Sequence, residues 1–185
     1  MLKKILFLSL SLVLLLGTLS GCFITEAISS GKPRTFESAD GVYSFYISGK
    51  WKQQDETFNE SSVLSLTQDQ NSDSFSLMVL PEMKIDFTDE VDLAFYNNKV
   101  IENYRVNNTD FEIKDEREFE IGGKKAFRTN FFMTKQGAKV TLYIYTLEYD
   151  DRFIQIAGGC LQSKTVEGGK LFDEAAESFK MKTEE

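Results

Sequence analysis

Residues 139–157, KVTLYIYTLEYDDRFIQIA, carry the pattern that decides the fold. The pattern predicts two strands, Lys139–Tyr149 and Arg152–Ala157, joined by a turn at Asp150-Asp151. The first strand is apolar on both faces, with Leu142 and Ile144 on one and Tyr143, Tyr145, Leu147 and Tyr149 on the other. Because a strand that is apolar on both faces needs cover on both, the sequence predicts a sheet with packing layers above and below it.

Two helical segments are available to cover this sheet. The first is predicted from an N-cap at Thr88 to about Arg105. Its apolar stripe consists of Leu93, Tyr96, Val100 and Tyr104. The second is predicted over Gly169–Met181, with Phe172, Ala175, Ala176 and Phe179 at helical spacing.

Alternating apolar residues between turn signals predict the remaining strands. These are Thr35–Glu37, Val42–Ser48, Ser62–Thr67, Ser74–Leu80, Glu112–Ile121 and Lys124–Thr134. The fold class is therefore α+β, an antiparallel sheet flanked by helices in an α/β/α sandwich of order ββββ-α-ββββ-α. Since no linker interrupts residues 34–185, they are predicted to form a single globular domain.

The amino end has the pattern of an export signal over residues 1–21. A lysine pair precedes an apolar run from Ile5 to Leu16, which is too short to cross a bilayer. The run ends in Leu19-Ser20-Gly21-Cys22, which resembles the lipobox of bacterial lipoproteins. The resemblance implies cleavage before Cys22 and a diacylglyceryl thioether on its sulfur, with acyl chains such as palmitate.

Residues 22–33 are accordingly expected to be the lipidated cysteine and a short tether. Two acyl chains hold a protein stably at a membrane, whereas one holds it only marginally. We therefore expect the domain to be lipid-anchored on the extracytoplasmic face of the bacterial cell membrane.

Composition excludes several classes of function. The 185 residues carry a formal net charge of −8, and the pI is near 4.8, which argues against a nucleic-acid partner. The absence of histidine excludes Ser-His-Asp and Cys-His catalysis and zinc sites built on histidine.

The start of the domain carries a resemblance to a known fold family. FESADGVYSFYISGKW, residues 36–51, resembles bacterial PsbP-related lipoproteins, in which an Asp-Gly turn precedes an aromatic strand and a tryptophan follows. IGGKKA, residues 121–126, is similar to their central glycine-containing hairpin. The resemblance covers roughly residues 36–180 and implies the Mog1/PsbP-like fold. Since members of that fold act mainly by binding and scaffolding, it implies a non-enzymatic module and carries over no site residue.

The motifs that could carry chemistry are each explained better by structure. Cys160 has no histidine to activate it and is expected to be a buried thiol. Residues 69–73, DQNSD, have the spacing that opens a calcium loop but lack its glycine and its final glutamate, so a hairpin turn is favoured. No catalytic residue, cofactor or metal ligand is predicted.

One face remains open as a binding surface. Tyr143, Tyr145 and Tyr149 alternate along one strand, and such aromatics are usually core beneath a helix. If the helix left part of them uncovered, they would form a shallow groove for a ligand or a peptide.

Three functions are consistent with these observations. The favoured one is a non-catalytic binding or assembly module, attached to the membrane through the lipid on Cys22, with an unknown protein partner and no nucleic acid. The alternative is a small-ligand or metal-binding lipoprotein that serves a transporter or sensor. The third is a histidine-free hydrolase that works through carboxylates. An apolar-lined pocket would favour the second, and carboxylates facing each other across a cleft would favour the third.

Overall fold

The computed structural model describes residues 31–54, 59–70, 73–87, 91–108 and 110–182. The predicted leader, Cys22 and Thr88 lie outside these ranges. The strands are β1 (Pro33–Glu37), β2 (Tyr43–Ser48), β3 (Lys52–Gln53), β4 (Leu64–Gln70), β5 (Asp73–Met83), β6 (Glu112–Ile121), β7 (Lys124–Lys135), β8 (Ala138–Glu148), β9 (Arg152–Leu161) and β10 (Lys180–Met181). The helices are α1 (Leu93–Asn107) and α2 (Thr165–Ser178), with short 3-10 turns at Lys84–Asp86 and Gln162–Lys164.

Seven of the described strands pair into one antiparallel sheet in the order β3-β4-β5-β9-β8-β7-β6. α1 packs on one face of this sheet and α2 on the other. The fold is therefore α+β, an antiparallel sheet flanked by helices, as the apolar pattern of residues 139–157 predicts.

The first two strands lie in a separate layer, which the sequence did not predict. β1, β2 and β10 form a three-stranded antiparallel sheet in the order β1-β2-β10. Tyr43, Phe45 and Ile47 are all buried, so β2 packs its apolar face onto the large sheet instead of extending its edge. The two short strands β3 and β10 are further additions to the predicted order.

The described residues form two hydrophobic cores. The larger one lies between the seven-stranded sheet on one side and α2 with the small sheet on the other. Phe172 of α2 is at its centre, with its ring centroid 6.3 Å from Trp51, 6.3 Å from Phe75 and 5.3 Å from Tyr143. These aromatic contacts join α2, the sheet and the segment that follows β2 into one unit.

The smaller core lies beneath α1. The ring of Tyr96 stacks on Phe153 with centroids 4.4 Å apart and planes 9° apart. The helix begins after Asp92, whose carboxylate accepts the N–H of Phe95 at 2.7 Å. The predicted start at Thr88 was therefore wrong: Asp92 is still in extended backbone, and it supplies the cap instead.

α2 begins at Thr165, before the predicted Gly169, and ends at Ser178, before the predicted Met181. Gly168 and Gly169 lie inside the helix, where glycine is normally unfavourable. A Cβ on Gly168 would stand 2.6 Å from the sulfur of Cys160, so this glycine lets the helix lie close to the sheet.

The domain also begins slightly earlier than residue 34. Pro33 already pairs with Ser48 in β1. Before it, the N–H of Gly49 donates to the Lys32 carbonyl at 2.8 Å, and the Ser48 hydroxyl donates to the Gly31 carbonyl at 3.2 Å. Gly31 to Pro33 are thus held by the loop after β2, although they were expected to belong to the tether.

Candidate ligand-binding groove

A groove of about 660 Å³ lies on the α1 face of the large sheet, near the C-terminus of α1. It opens at the end of the sheet where the β4–β5 and β7–β8 hairpins turn. The stacking of Tyr96 on Phe153 holds the start of α1 over the opposite end of the sheet. The last turns of α1 are less covered by the rest of the domain, and Asn103 and Asn107 are exposed there.

The floor of the groove is apolar. It consists of Met78, Met133, Val140, Leu142 and Ala157. Leu142 lies on the same face of β8 as Ile144, yet Ile144 is fully buried and Leu142 only partly so. Since alternate residues of a strand share a face, this difference marks the point where α1 stops covering the sheet.

Gly159 of β9 leaves the groove floor without a side chain between β5 and β8. A Cβ at this position would stand 3.0 Å from Leu142 Cδ2 and 3.0 Å from Ser76 Oγ. Any larger side chain would therefore disturb the floor or fill part of the groove.

The rim is formed largely by side-chain amides from the end of α1. The Asn107 amide donates to both the carbonyl and the side-chain oxygen of Asn103, each at 2.8 Å, and the Asn108 amide donates to the Tyr104 carbonyl at 2.8 Å. Two of the last carbonyls of α1 are thereby satisfied, which weakens the negative end of the helix dipole at the groove.

The groove is nearly free of charge. Lys135 is the only charged side chain among the described lining residues, and none of these is a carboxylate. Burial raises the pKa of Tyr104, whose hydroxyl accepts the Gln155 amide at 2.9 Å, so this phenol stays neutral. The arrangement offers an apolar surface with hydrogen-bonding groups at its edge and no acid-base pair.

A smaller groove of about 410 Å³ lies between α1 and β6. Phe95 and Ile113 line it together with charged side chains, of which Arg105 and Glu102 pair with each other at 3.0 Å. Because these charges are partly satisfied internally and the apolar part is small, this groove is the weaker candidate.

The tyrosine face that the sequence left open lies in the core. Tyr143 and Tyr145 are 2% and 0% exposed beneath α2. Their hydroxyls donate to the Thr165 carbonyl and to Asp173 Oδ1, each at 2.5 Å. Tyr149 is half-buried, with the Lys124 ammonium 4.7 Å from its ring centroid. The idea of an open groove over these rings is corrected: α2 covers Tyr143 and Tyr145, so they present no surface to a ligand.

Carboxylates on the α2 face are occupied by ion pairs. Arg128 is buried and donates to Asp173 Oδ1 at 2.7 Å and to Asp115 Oδ2 at 2.8 Å. Both carboxylates bind the same guanidinium, so they do not face each other across a cleft. This network joins α2 to β6 and β7.

Cys160 is buried, as expected; it borders the groove, but its sulfur lies on the α2 side, next to Gly168. Burial raises the pKa of its thiol to about 12, so it is protonated at neutral pH and a poor nucleophile. Within the described ranges, no group of three or more carboxylate or cysteine side chains is placed to hold a metal ion. None of the helices in the same ranges has the length and apolar composition needed to span a bilayer.

Sequence reasoning missed the groove residues altogether. The available signal was indirect: polar Asn103, Asn107 and Asn108 follow the last buried turn of the helix, while the strands beneath remain apolar. This difference indicates an uncovered part of the sheet only if the position of the helix over the sheet is already known.

No protein-family model matches the chain, and no curated protein matches its sequence. Solved structures do match.

LpqN of Mycobacterium tuberculosis, described as involved in cell envelope biogenesis, is 15% identical with a TM-score of 0.59, and the match covers 82% of this chain and 91% of LpqN. The cyanobacterial PsbP of Synechocystis sp. PCC 6803 is 12% identical with a TM-score of 0.55, covering 82% of this chain and 94% of its own. A variant of Mog1 is 11% identical with a TM-score of 0.58, and the match covers 80% of this chain and 95% of the Mog1 chain.

These likenesses define the class of protein by its fold. The chain has the Mog1/PsbP-like fold, and it shares that fold with LpqN, cyanobacterial PsbP and Mog1 over most of its length. At these identities the likeness concerns architecture alone.

Proposed function

We propose that this protein is a lipid-anchored, extracytoplasmic binding module of the bacterial cell envelope that performs no catalysis. The observation that carries the binding role is the groove beside the end of α1, with its apolar floor and amide rim. Its volume falls in the range of about 300–1,000 Å³ that is usual for small-molecule sites.

The anchoring part of the proposal is supported by the sequence. The short apolar run and the Leu-Ser-Gly-Cys motif ending at Cys22 resemble a lipoprotein signal. LpqN, which shares the fold, is described as involved in cell envelope biogenesis, and this is compatible with a role at the envelope.

The non-catalytic part is supported by what lines the groove. Its described lining contains no carboxylate, and the thiol of Cys160, the one cysteine in that lining, is protonated and lies on the α2 side of the sheet. Between a protein partner and a small ligand, a concave apolar floor with a few polar groups at its rim favours the small ligand.

Anchoring is tested by replacing the lipid attachment site. In Cys22→Ala, we expect the protein to lose incorporation of an alkyne-labelled palmitate and to keep its leader, whereas the wild type carries diacylglyceryl on a mature Cys22 by mass spectrometry. Cys160→Ala, which removes the other thiol, is the matched control and should label like the wild type. An unmodified Cys22 sulfur in the wild type would contradict the anchor.

Binding is tested in the intact membrane with a photo-reactive residue at Asn103 on the groove rim. The control carries the same residue at Glu118, which is exposed on β6. We expect a discrete added mass at position 103 only. Equal labelling at both positions, or none at either, would contradict a binding role for the groove.

A further inference from the structure

The groove and the anchored end of the chain lie at the same end of the large sheet. Lys52 of β3 is in register with Thr67 of β4, Thr67 with Ser76 of β5, and Ser76 with Gly159 of β9. Ser76 and Gly159 line the groove. Since β3 and β5 are two strand spacings apart, the edge at Lys52 lies about 10 Å from the groove side of β5.

The chain enters the domain beside this same edge. Gly31 is held by Ser48 and lies against the side chain of Lys50, two residues before β3. Nine residue steps separate Gly31 from Cys22, and they span at most about 32 Å. If Cys22 carries the lipid, as proposed above, the membrane surface is within that distance of Gly31, which lies at the same end of the large sheet as the groove but on its α2 side.

The charge of the groove suits such a position. The chain as a whole is acidic, with a formal net charge of −8, so most of its surface is repelled by an anionic membrane. The described groove lining has no carboxylate and one lysine, Lys135. It therefore provides a neutral to slightly basic surface at the end of the sheet where the chain enters the domain.

The chemistry of the groove defines the ligand. The apolar strip of Met78, Leu142 and Ala157 matches a hydrocarbon chain, which binds by removal of its methylenes from water. The rim amides of Asn103 and Asn107 offer donors and acceptors for a polar head. A cationic head would meet Lys135, and none of the described lining residues is a carboxylate that could offset it.

We propose that the groove binds an acyl-chain amphiphile taken from the adjacent membrane, with its chain on the Met78–Leu142–Ala157 floor and an uncharged or anionic head at the Asn103–Asn107 rim. This inference rests on the proposed anchoring at Cys22.

The test uses the full lipoprotein in vesicles of phosphatidylethanolamine and phosphatidylglycerol that contain a phospholipid with a diazirine near the end of one acyl chain. After irradiation, adducts are mapped by peptide mass spectrometry. We expect adducts in peptides that contain Met78, Leu142 or Ala157. Adducts confined to residues 22–30 would overturn the proposal. So would a groove without adducts, whether it is empty or filled by the protein's own acyl chains.

A blocking variant sharpens this test. Ser76→Phe places a ring in the groove from a strand position that tolerates aromatic residues, and the exposed Thr35→Phe on β1 is the matched control. We expect groove adducts to fall about tenfold in Ser76→Phe, the change produced by losing contact with two methylenes, and to be unchanged in Thr35→Phe. Equal adducts in the two variants contradict the proposal.

If Ser76→Phe fails to fold, the adduct positions in the wild type decide the question by themselves. Mass spectrometry of the N-terminal peptide in the same sample separates the two proposals. A lipidated Cys22 without groove adducts refutes the ligand class alone, whereas an unmodified Cys22 refutes the anchor.

Discussion

Gly158 is a single residue that controls how closely α2 approaches the sheet. A Cβ at this position would stand 2.5 Å from Cγ of Phe172, at the centre of the larger core. Its backbone does not lie in the left-handed region, so alanine would be resisted by the aromatic ring and not by the backbone.

Gly158→Ala is therefore expected to lower the free energy of unfolding by about 1–3 kcal/mol, through overpacking. Adding Phe172→Leu should relieve the clash, so that the double variant loses less stability than the sum of the two single changes. Urea titration of the four proteins measures this coupling. Strict additivity would show that the ring does not limit position 158.

Asp173 is the second residue on which the α2 layer depends. Its Oδ1 accepts from both Arg128 at 2.7 Å and Tyr145 at 2.5 Å, and the Arg128 side chain is only 7% exposed. Asp115 still pairs with the guanidinium when Asp173 is removed, but Tyr145 loses its acceptor.

We expect Asp173→Ala to cost about 2–4 kcal/mol, because it leaves a buried cation half-paired and a buried phenol unsatisfied. The matched control is Glu118→Ala, which breaks the ion pair with Lys125 on the exposed surface of β6 and should cost less than about 1 kcal/mol. Chemical denaturation compares them. Equal losses would mean that burial adds nothing to the Asp173 pair.

At the scale of the element, the start of α1 is set by Asp92. Its carboxylate is the one side chain that caps the described first turn, accepting the N–H of Phe95 at 2.7 Å. The cap matters because it fixes where the helix begins, and hence how far α1 reaches over the sheet before the groove.

Asp92→Ala is expected to lower the free energy of unfolding by about 1 kcal/mol, the usual cost of a lost N-cap, whereas Asp92→Ser should retain most of that stability. Thermal melts followed by far-ultraviolet circular dichroism give the comparison. An alanine variant as stable as the serine variant would indicate that another group caps this helix.

β6 shows how an edge strand of the sheet avoids pairing with other chains. From Glu112 to Glu118 all side chains are exposed, and most are charged. Charged side chains on an exposed edge discourage strand-to-strand association. The strand was predicted from the turn signal at Gly122-Gly123 and from its few apolar residues, Ile113, Phe119 and Ile121, although both faces of residues 112–118 are exposed.

At the scale of the whole molecule, buried ionisable groups link stability to alkaline pH. Burial raises the pKa of Tyr143 to about 12 and that of the Cys160 thiol to about 12, and it also raises the pKa of Tyr96 and Tyr145. In the unfolded chain the pKa is about 10 for tyrosine and about 8.5 for cysteine.

The folded state therefore binds more protons than the unfolded state above these values. We expect the free energy of unfolding to be at its full value below about pH 8.5 and to fall as the pH rises toward 12. Each group contributes at most about 1.4 kcal/mol of this loss per pH unit. Urea titrations at successive pH values measure the slope. Cys160→Ala should move the start of the stability loss to higher pH. Tyr143→Phe should reduce the slope of the free energy of unfolding against pH above pH 10. A stability that is flat from pH 8 to 11 would contradict this.

Much of the architecture was predictable because it follows from local chemistry. The two-faced apolar pattern of Leu142 to Leu147 required a layer on each side, and glycine-containing turns such as Gly122-Gly123, both at positive φ, defined the hairpins. The start of α1 was not predictable, because Thr88 and Asp92 are both competent caps and only packing selects between them. The burial of Tyr143 and Tyr145 likewise depended on where α2 lies.

The sequence by itself determined the sandwich, since apolar side chains on both faces of a strand cannot be left in water, and it supplied the motif that predicts a lipid on Cys22. Tertiary structure alone decided that β1 and β2 form a separate layer and that α1 leaves one end of the sheet open. The physical reason is that a groove is the space between elements distant in the chain. Its shape depends on the stacking of Tyr96 on Phe153 and on the absence of a side chain at Gly159, and neither consequence is contained in a local pattern.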